Sequence, residues 1–131
     1  MEEWDEHLIK DMPFKDGIVL MKVQTTGQRF TNVPHLAVHH SPTGYEWGYS
    51  GSGPSDLALN IVENILWDLE YDGPRIPMYE GTCFEMTTYI YQQFKRQFIA
   101  DACDDTVIDY DEACNFVDAE MQKIIKRNGR Q

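Results

Sequence analysis

The sequence predicts an α+β fold: an N-terminal small antiparallel β-sheet of three to four strands, packed by about three C-terminal α-helices. Two observations carry this. Short β-branched and apolar runs, separated by turn residues, occupy the first 50 positions. Apolar residues at helical spacing then fill three segments after residue 53. At 131 residues the chain suits a single domain spanning 1–131, β-rich over 13–50 and helical over 54–128.

The elements follow in order. Trp4 and Leu8 lie one helical turn apart, so residues 1–11 can form a short amphipathic turn before Pro13 interrupts. Gly17–Val23 reads as a strand and Arg29–Val33 as a second, joined through the turn at Thr25-Thr26-Gly27-Gln28. Pro34 breaks the hairpin. Leu36–His39 and Glu46–Tyr49 read as two further short strands around the turn Ser41-Pro42-Thr43-Gly44.

The first long helix opens at Gly53-Pro54-Ser55-Asp56. Proline is tolerated at the first helical position because that N–H has no intrahelical acceptor. Asp56 in the first turn opposes the positive end of the helix dipole. Ala58, Ile61, Val62, Ile65, Leu66 and Leu69 make the apolar stripe, and Gly73-Pro74 ends the segment. Phe84–Ala100 is the second helix, with Ile90, Tyr91, Phe94 and Phe98 turned inward and Gln92, Lys95 and Arg96 facing elsewhere. The third begins at Asp109, where Asp109 and Glu112 have capping-box spacing. Its buried face is Tyr110, Cys114, Val117, Met121 and Ile124. Lys123, Lys126 and Arg127 complement its C-terminal dipole, and Asn128-Gly129 supplies the stop.

Composition removes several function classes. A hydrophobic fraction of 42% and a charged fraction of 25% are those of a globular protein. No apolar run reaches the length of a membrane span. The N-terminus MEEWDEHLIKDM lacks the order of a signal peptide, so a cytoplasmic location is expected. Cys83, Cys103 and Cys114 are odd in number and lack CxxC spacing, and are expected as buried small apolar residues. A formal net charge of −11 repels nucleic-acid phosphates, so direct nucleic-acid binding is not expected.

One segment is unusual. From His39 to Ser55 the chain places Tyr45, Trp47 and Tyr49 among four glycines and several hydroxyl residues, and then enters a helix. A glycine-rich turn into a helix N-terminus aims free N–H groups and a positive dipole end at one spot, which suits a phosphate or carboxylate. Aromatic rings add stacking surfaces. The bland alternative is a tight strand-to-helix corner with the rings in the core. No Lys or Arg occurs between Phe30 and Pro74, so Arg29, Arg75, Lys95 or Arg96 would have to reach an anion through the fold.

The stretch His40-Ser41-Pro42-Thr43-Gly44-Tyr45-Glu46-Trp47-Gly48-Tyr49-Ser50-Gly51-Ser52-Gly53-Pro54-Ser55-Asp56-Leu57-Ala58-Leu59 resembles the signature of an uncharacterised domain family of bacteria and phages, HSPTGFEWGYGGSGPADLAL. Tyr91-Gln92-Gln93-Phe94-Lys95 is similar to a later Tyr-x-x-Phe-Lys helix of that family. Ser50 stands where glycine is common, and the final acidic helix is less typical. The resemblance implies no established activity. It does imply a setting of phage–host conflict, with the host cytoplasm as the location if the chain is phage-encoded.

Specific chemistries find little support. His39 and His40 would point to opposite faces of a strand, and neither HExxH nor paired CxxC occurs, so no metal is expected. Ser50 and Ser52 do not sit in GxSxG, and no phosphate-loop lysine follows the glycines. No cofactor is expected. The leading expectation is a non-catalytic counter-defence protein that sequesters a small anionic, nucleotide-like ligand. Its site would be His40, Ser41, Thr43, Tyr45, Glu46, Trp47, Tyr49, Ser50, Gly51, Ser52 and Gly53, with Arg75, Lys95 and Arg96 assisting. The alternative is an acidic nucleic-acid mimic that binds a host defence nuclease complex through Asp104, Asp105, Asp109, Asp111 and Glu112. A third reading is a small hydrolase or transferase around His40, Glu46 and a loop serine. Apolar faces on three helices also make a homodimer reasonable.

Overall fold

The computed structural model describes residues 13–22, 25–34, 36, 46–48, 51–103 and 105–128, with Ser52 described by its backbone alone. The architecture is α+β, with an antiparallel three-stranded sheet and three helices. Strand β1 (Ile18–Lys22) is central, flanked by β2 (Arg29–Thr31) and by a strand late in the chain, Thr106–Ile108. Met21 pairs with Phe30 on one side, and Val19 with Val107 on the other. Successive side chains of a strand point to opposite faces. Ile18 and Leu20 therefore enter the main core, while Val19 and Met21 join Phe30 in a separate cluster. A strand covered on both faces needs no polar alternation, which is why β1 is nearly all apolar. Beyond the end of β2, the buried Asn32 side chain accepts from Val19 N–H at 2.9 Å and donates to the Gly17 carbonyl at 2.7 Å.

Helix α1 (Ser52–Asp68) is the centre of the molecule. Ala58, Ile61, Val62, Ile65 and Leu66 are buried as their spacing predicts, but so are Asp56, Asn60 and Glu63. The helix starts earlier than expected, so Pro54 is the third helical residue rather than the first, and Asp56 lies past the first turn. Proline is still tolerated there, because the first i→i−4 bond is Ser55 N–H to Gly51 O at 3.0 Å. The helix also ends before Gly73. Glu70 adopts a left-handed conformation (φ 58°), with Tyr71 N–H on Leu66 O and Glu70 N–H on Trp67 O, both about the usual backbone length.

A hairpin that periodicity did not disclose follows: β3 (Arg75–Pro77) and β4 (Thr82–Phe84). It is fastened to α1 by Glu63, which is fully buried. One carboxylate oxygen accepts from Phe84 N–H (2.9 Å) and Thr87 Oγ1 (2.7 Å). The other accepts from Arg75 Nη2 (3.0 Å) and Trp67 Nε1 (3.1 Å). The Arg75 guanidinium lies 4.5 Å from the Phe84 ring centroid and 5.2 Å from that of Trp67. Beside this carboxylate, burial and then the Glu63 charge push the Cys83 thiol up to about 11.

Helix α2 (Glu85–Phe94) does not run regularly to Ala100. It passes into a π-turn over Lys95–Ile99, closed by Ala100 N–H on Lys95 O at 2.9 Å. The extra residue rotates the face: Ile99 and Lys95 are buried, and Phe98 is only partly so. Lys95, expected to face away from the core, is thus turned into it. Strand β5 (Thr106–Ile108) closes the sheet, and helix α3 (Tyr110–Asn128) packs Ala113, Val117 and Met121 inward. Asp109 Oδ2 accepts from Glu112 N–H at 3.0 Å, the cap that the spacing predicts.

Three expectations need correction. Glu46–Gly48 is not a strand; the third strand of the sheet comes from 106–108 instead. Of Leu36–His39 only Leu36 is described, and it is not in a strand. Cys83 is buried, but Cys114 is half-buried and Cys103 exposed, because the latter lies in the connection before β5. The expected turn at residues 1–11 lies outside the described residues.

Replacing Glu63 tests how the hairpin is held. Glu63→Ala leaves Arg75 without its counter-charge and three further donors without an acceptor. It should cost about 3–5 kcal/mol in urea unfolding, the range for breaking a buried pair. Glu63→Gln, which keeps the shape and an acceptor oxygen, should cost clearly less.

Candidate functional site

The part of the unusual segment that the structure describes is clamped between the two ends of the helical layer. Gly48 donates its N–H to Ile99 O at 3.0 Å, in the π-turn. It has φ 86°, and a Cβ there would stand 3.3 Å from Ala102 O, so glycine is required twice over. At the other end, Glu46 lies against the first turn of α1. A Cβ on Gly53 would sit 2.8 Å from Glu46 Cβ and 3.0 Å from its Oε1, so only glycine allows this approach. Between them Trp47 is 2% exposed. Arg29, from β2, donates to Trp47 O at 3.2 Å and lies 4.7 Å from the Trp47 ring centroid. The ring therefore offers no free face for stacking. Its Nε1–H is buried and has no acceptor among the described residues.

Charge reaches this place through the π-turn. Lys95 is 8% exposed, and its Nζ donates to Ser55 Oγ, in the first turn of α1, at 3.2 Å. Ser55 is itself buried. The ammonium has three donors, and among the described residues that hydroxyl is the single acceptor it meets and it forms no ion pair. The adjacent helix end adds donors: the Ser52 and Gly53 amides have no acceptor within the helix, and Gly51 before them has no capping side chain. The buried ammonium and the Ser55 hydroxyl thus lie at the first turn of α1, and the free amides of a helix N-terminus favour negative charge.

Other predicted residues fall differently. Arg75 is committed to Glu63, eight residues beyond Ser55 and so about 12 Å further along α1. Arg96 is exposed. His40, Ser41, Thr43, Tyr45, Tyr49 and Ser50 lie outside the described residues, as does the Ser52 side chain. Two of the acidic residues are already in use: Asp105 accepts from Lys22 N–H (3.2 Å) and Asp109 caps α3. Asp111 and Glu112 are exposed, and Asp104 is outside the described residues. Ser55, which was not among the expected site residues, emerges as the partner of Lys95. No spacing rule could have signalled a pair 40 residues apart. Among the described residues no group of three or more His, Cys, Asp or Glu could hold a metal ion, and no helix is long and apolar enough to cross a membrane.

Comparison with known proteins adds a family likeness. Residues 14–74 match a family of unknown function (DUF6166). No curated protein and no solved structure matches the chain. The matched region, just under half of the chain, includes β1, β2, the Glu46–Gly48 clamp and all of α1. Lys95 lies beyond it, on the element that completes the site.

The close approach of Glu46 to Gly53 sets an expectation for the clamp. Gly53→Ala must push the loop off the helix start. It should lower stability by about 1–3 kcal/mol, the usual cost of overpacking, in thermal or urea unfolding. Ser55→Ala, by contrast, removes the sole described acceptor of a buried ammonium without adding bulk.

Proposed function

We propose that this chain binds a small anionic, nucleotide-like ligand at the N-terminus of α1. The observation that carries the reading is Lys95. An ammonium removed from water is costly unless it is paired and hydrogen-bonded. Here it meets one neutral oxygen, beside helix-end amides that also favour negative charge. In an acidic chain with many carboxylates to offer, the described surroundings of Lys95 supply none as an ion-pair partner. An incoming anion would provide that counter-charge. Held near a hydroxyl and backbone amides, the ligand is bound rather than transformed. The resemblance of the glycine-rich segment to a family of bacteria and phages supports a role for such binding in counter-defence, by sequestering an anionic signal.

Two measurements test this. A nucleotide present at 100 times its dissociation constant should stabilise the fold by about 2.7 kcal/mol, read as a raised unfolding temperature. The absence of any shift across a nucleotide panel at millimolar concentration refutes the proposal. Lys95→Met should behave in the opposite sense. It should raise the stability of the unliganded protein by about 1–4 kcal/mol, as when buried charge is replaced by apolar packing, and should abolish the ligand-dependent shift.

A further inference from the structure

Helices α2 and α3 pack against each other and leave a cleft of about 400 Å³, where Tyr89 and Gln93 of one helix meet Glu120, Lys123, Ile124 and Arg127 of the other. Tyr89 and Gln93 are spaced i, i+4, as are Lys123 and Arg127, so each pair shows one side of its helix to the cleft. The Tyr89 ring is half-exposed, and its hydroxyl donates to Glu85 Oε1 at 2.9 Å, one turn back along α2, which holds the ring in place. Ile124 adds a half-buried apolar side chain. Lys123 Nζ donates to Glu120 Oε2 at 2.7 Å, so those two charges offset each other. Arg127 has no ion pair or hydrogen bond among the described residues. We infer that this cleft binds a small aromatic monocarboxylate, with its ring on Tyr89 and Ile124 and its carboxylate on the Arg127 guanidinium.

Size and charge select the ligand class. Small-molecule sites run from about 300 to 1,000 Å³, so this cleft has room for a ligand of one or two rings. With Lys123 offset by Glu120, its lining carries one uncompensated positive charge, which matches a single carboxylate. A guanidinium fork takes a carboxylate through two parallel hydrogen bonds. Basic residues in the last turn of a helix also answer its dipole, and Lys126 does so from outside the cleft. The dipole accounts for charge at the end of α3 on any side. It does not account for an aromatic ring and an apolar side chain lining a concave surface beside one guanidinium. Because Arg127 is exposed, its pairing contributes little, and binding falls in the millimolar range. This cleft shares no residue with the site at the start of α1 and does not depend on it.

The probes are indole-3-propionate and its uncharged amide, indole-3-propionamide, titrated into the nitrogen-15-labelled full chain at neutral pH and followed by the backbone amide signals. The carboxylate should move the signals of Tyr89, Gln93, Lys123, Ile124 and Arg127 and saturate in the millimolar range. The amide should move the same signals but bind about two- to fivefold more weakly, the worth of one exposed ion pair. Arg127→Gln should bring the carboxylate down to the affinity of the amide and leave the amide unchanged. Tyr89→Ala should weaken both probes alike, since ring packing does not depend on their charge. Both substitutions fall at exposed positions, and the rest of each variant's spectrum should overlay that of the parent. Equal affinity for the two probes, carboxylate binding that survives Arg127→Gln, or no movement of these signals at tens of millimolar overturns the inference. Movement centred on the first turn of α1 and Lys95 instead overturns the cleft while leaving the binding reading of that helix end standing.

Discussion

A helix buried on nearly all sides imposes one condition on everything around it: each polar side chain it carries inward must be matched by a neighbour. In α1 those residues are Ser55, Asp56, Asn60 and Glu63, spaced along one length of helix. Ser55 meets Lys95 from the π-turn. Asn60 accepts from Leu36 N–H at 2.7 Å and fastens the chain leaving the first hairpin. Glu63 collects four donors from α1 itself, β3, β4 and α2. The hydrophobic residues of α1 make burial favourable but are indifferent to direction. The polar ones fix which element docks where, since a misplaced partner would leave a buried group unmatched.

These polar residues differ in how fully they are matched. Glu63 is saturated, and its surroundings read as a structural joint. Lys95 is not: among the described residues it has one acceptor for three donors. A charge kept dry with spare donors lowers the stability of the empty fold, and such a deficit is typical of functional places. The family likeness fits a division of labour. The matched half of the chain supplies the helix end and its clamp, while the cation arrives from the part beyond.

Much of this architecture was legible in the residues, and the reasons for the rest are specific. The first hairpin, the three helices and the Asp109 cap follow from periodicity and capping chemistry, which are local. Strands β3, β4 and β5 are three residues each, too short for a period-2 pattern to emerge. Pro77 and the acids flanking Thr106–Ile108 also argue against strand. The end of α1 was hidden because Glu70 takes a left-handed conformation usually given to glycine. Of the site, the sequence drew attention to the glycine-rich segment as a whole, and the close approaches fall at Gly48 and Gly53. Lys95 was named there as one of several cations, but its burial was not visible, because a regular helix would have turned it away and the π-turn that redirects it has no reliable sequence mark.

The pairing of β1 with β5 bears on how the chain reaches its native state. Ile18 and Ile108 are register partners although they stand 90 positions apart in the chain. During synthesis, one side of the apolar β1 strand must wait until most of the polypeptide has left the ribosome. Joining such distant segments is slow, and an open strand border invites pairing with other chains. The acids at Asp101, Asp105, Asp109 and Asp111 bracket the late-arriving strand. Because β5 is an edge of the finished sheet, this like charge opposes its pairing with the same strand of another copy.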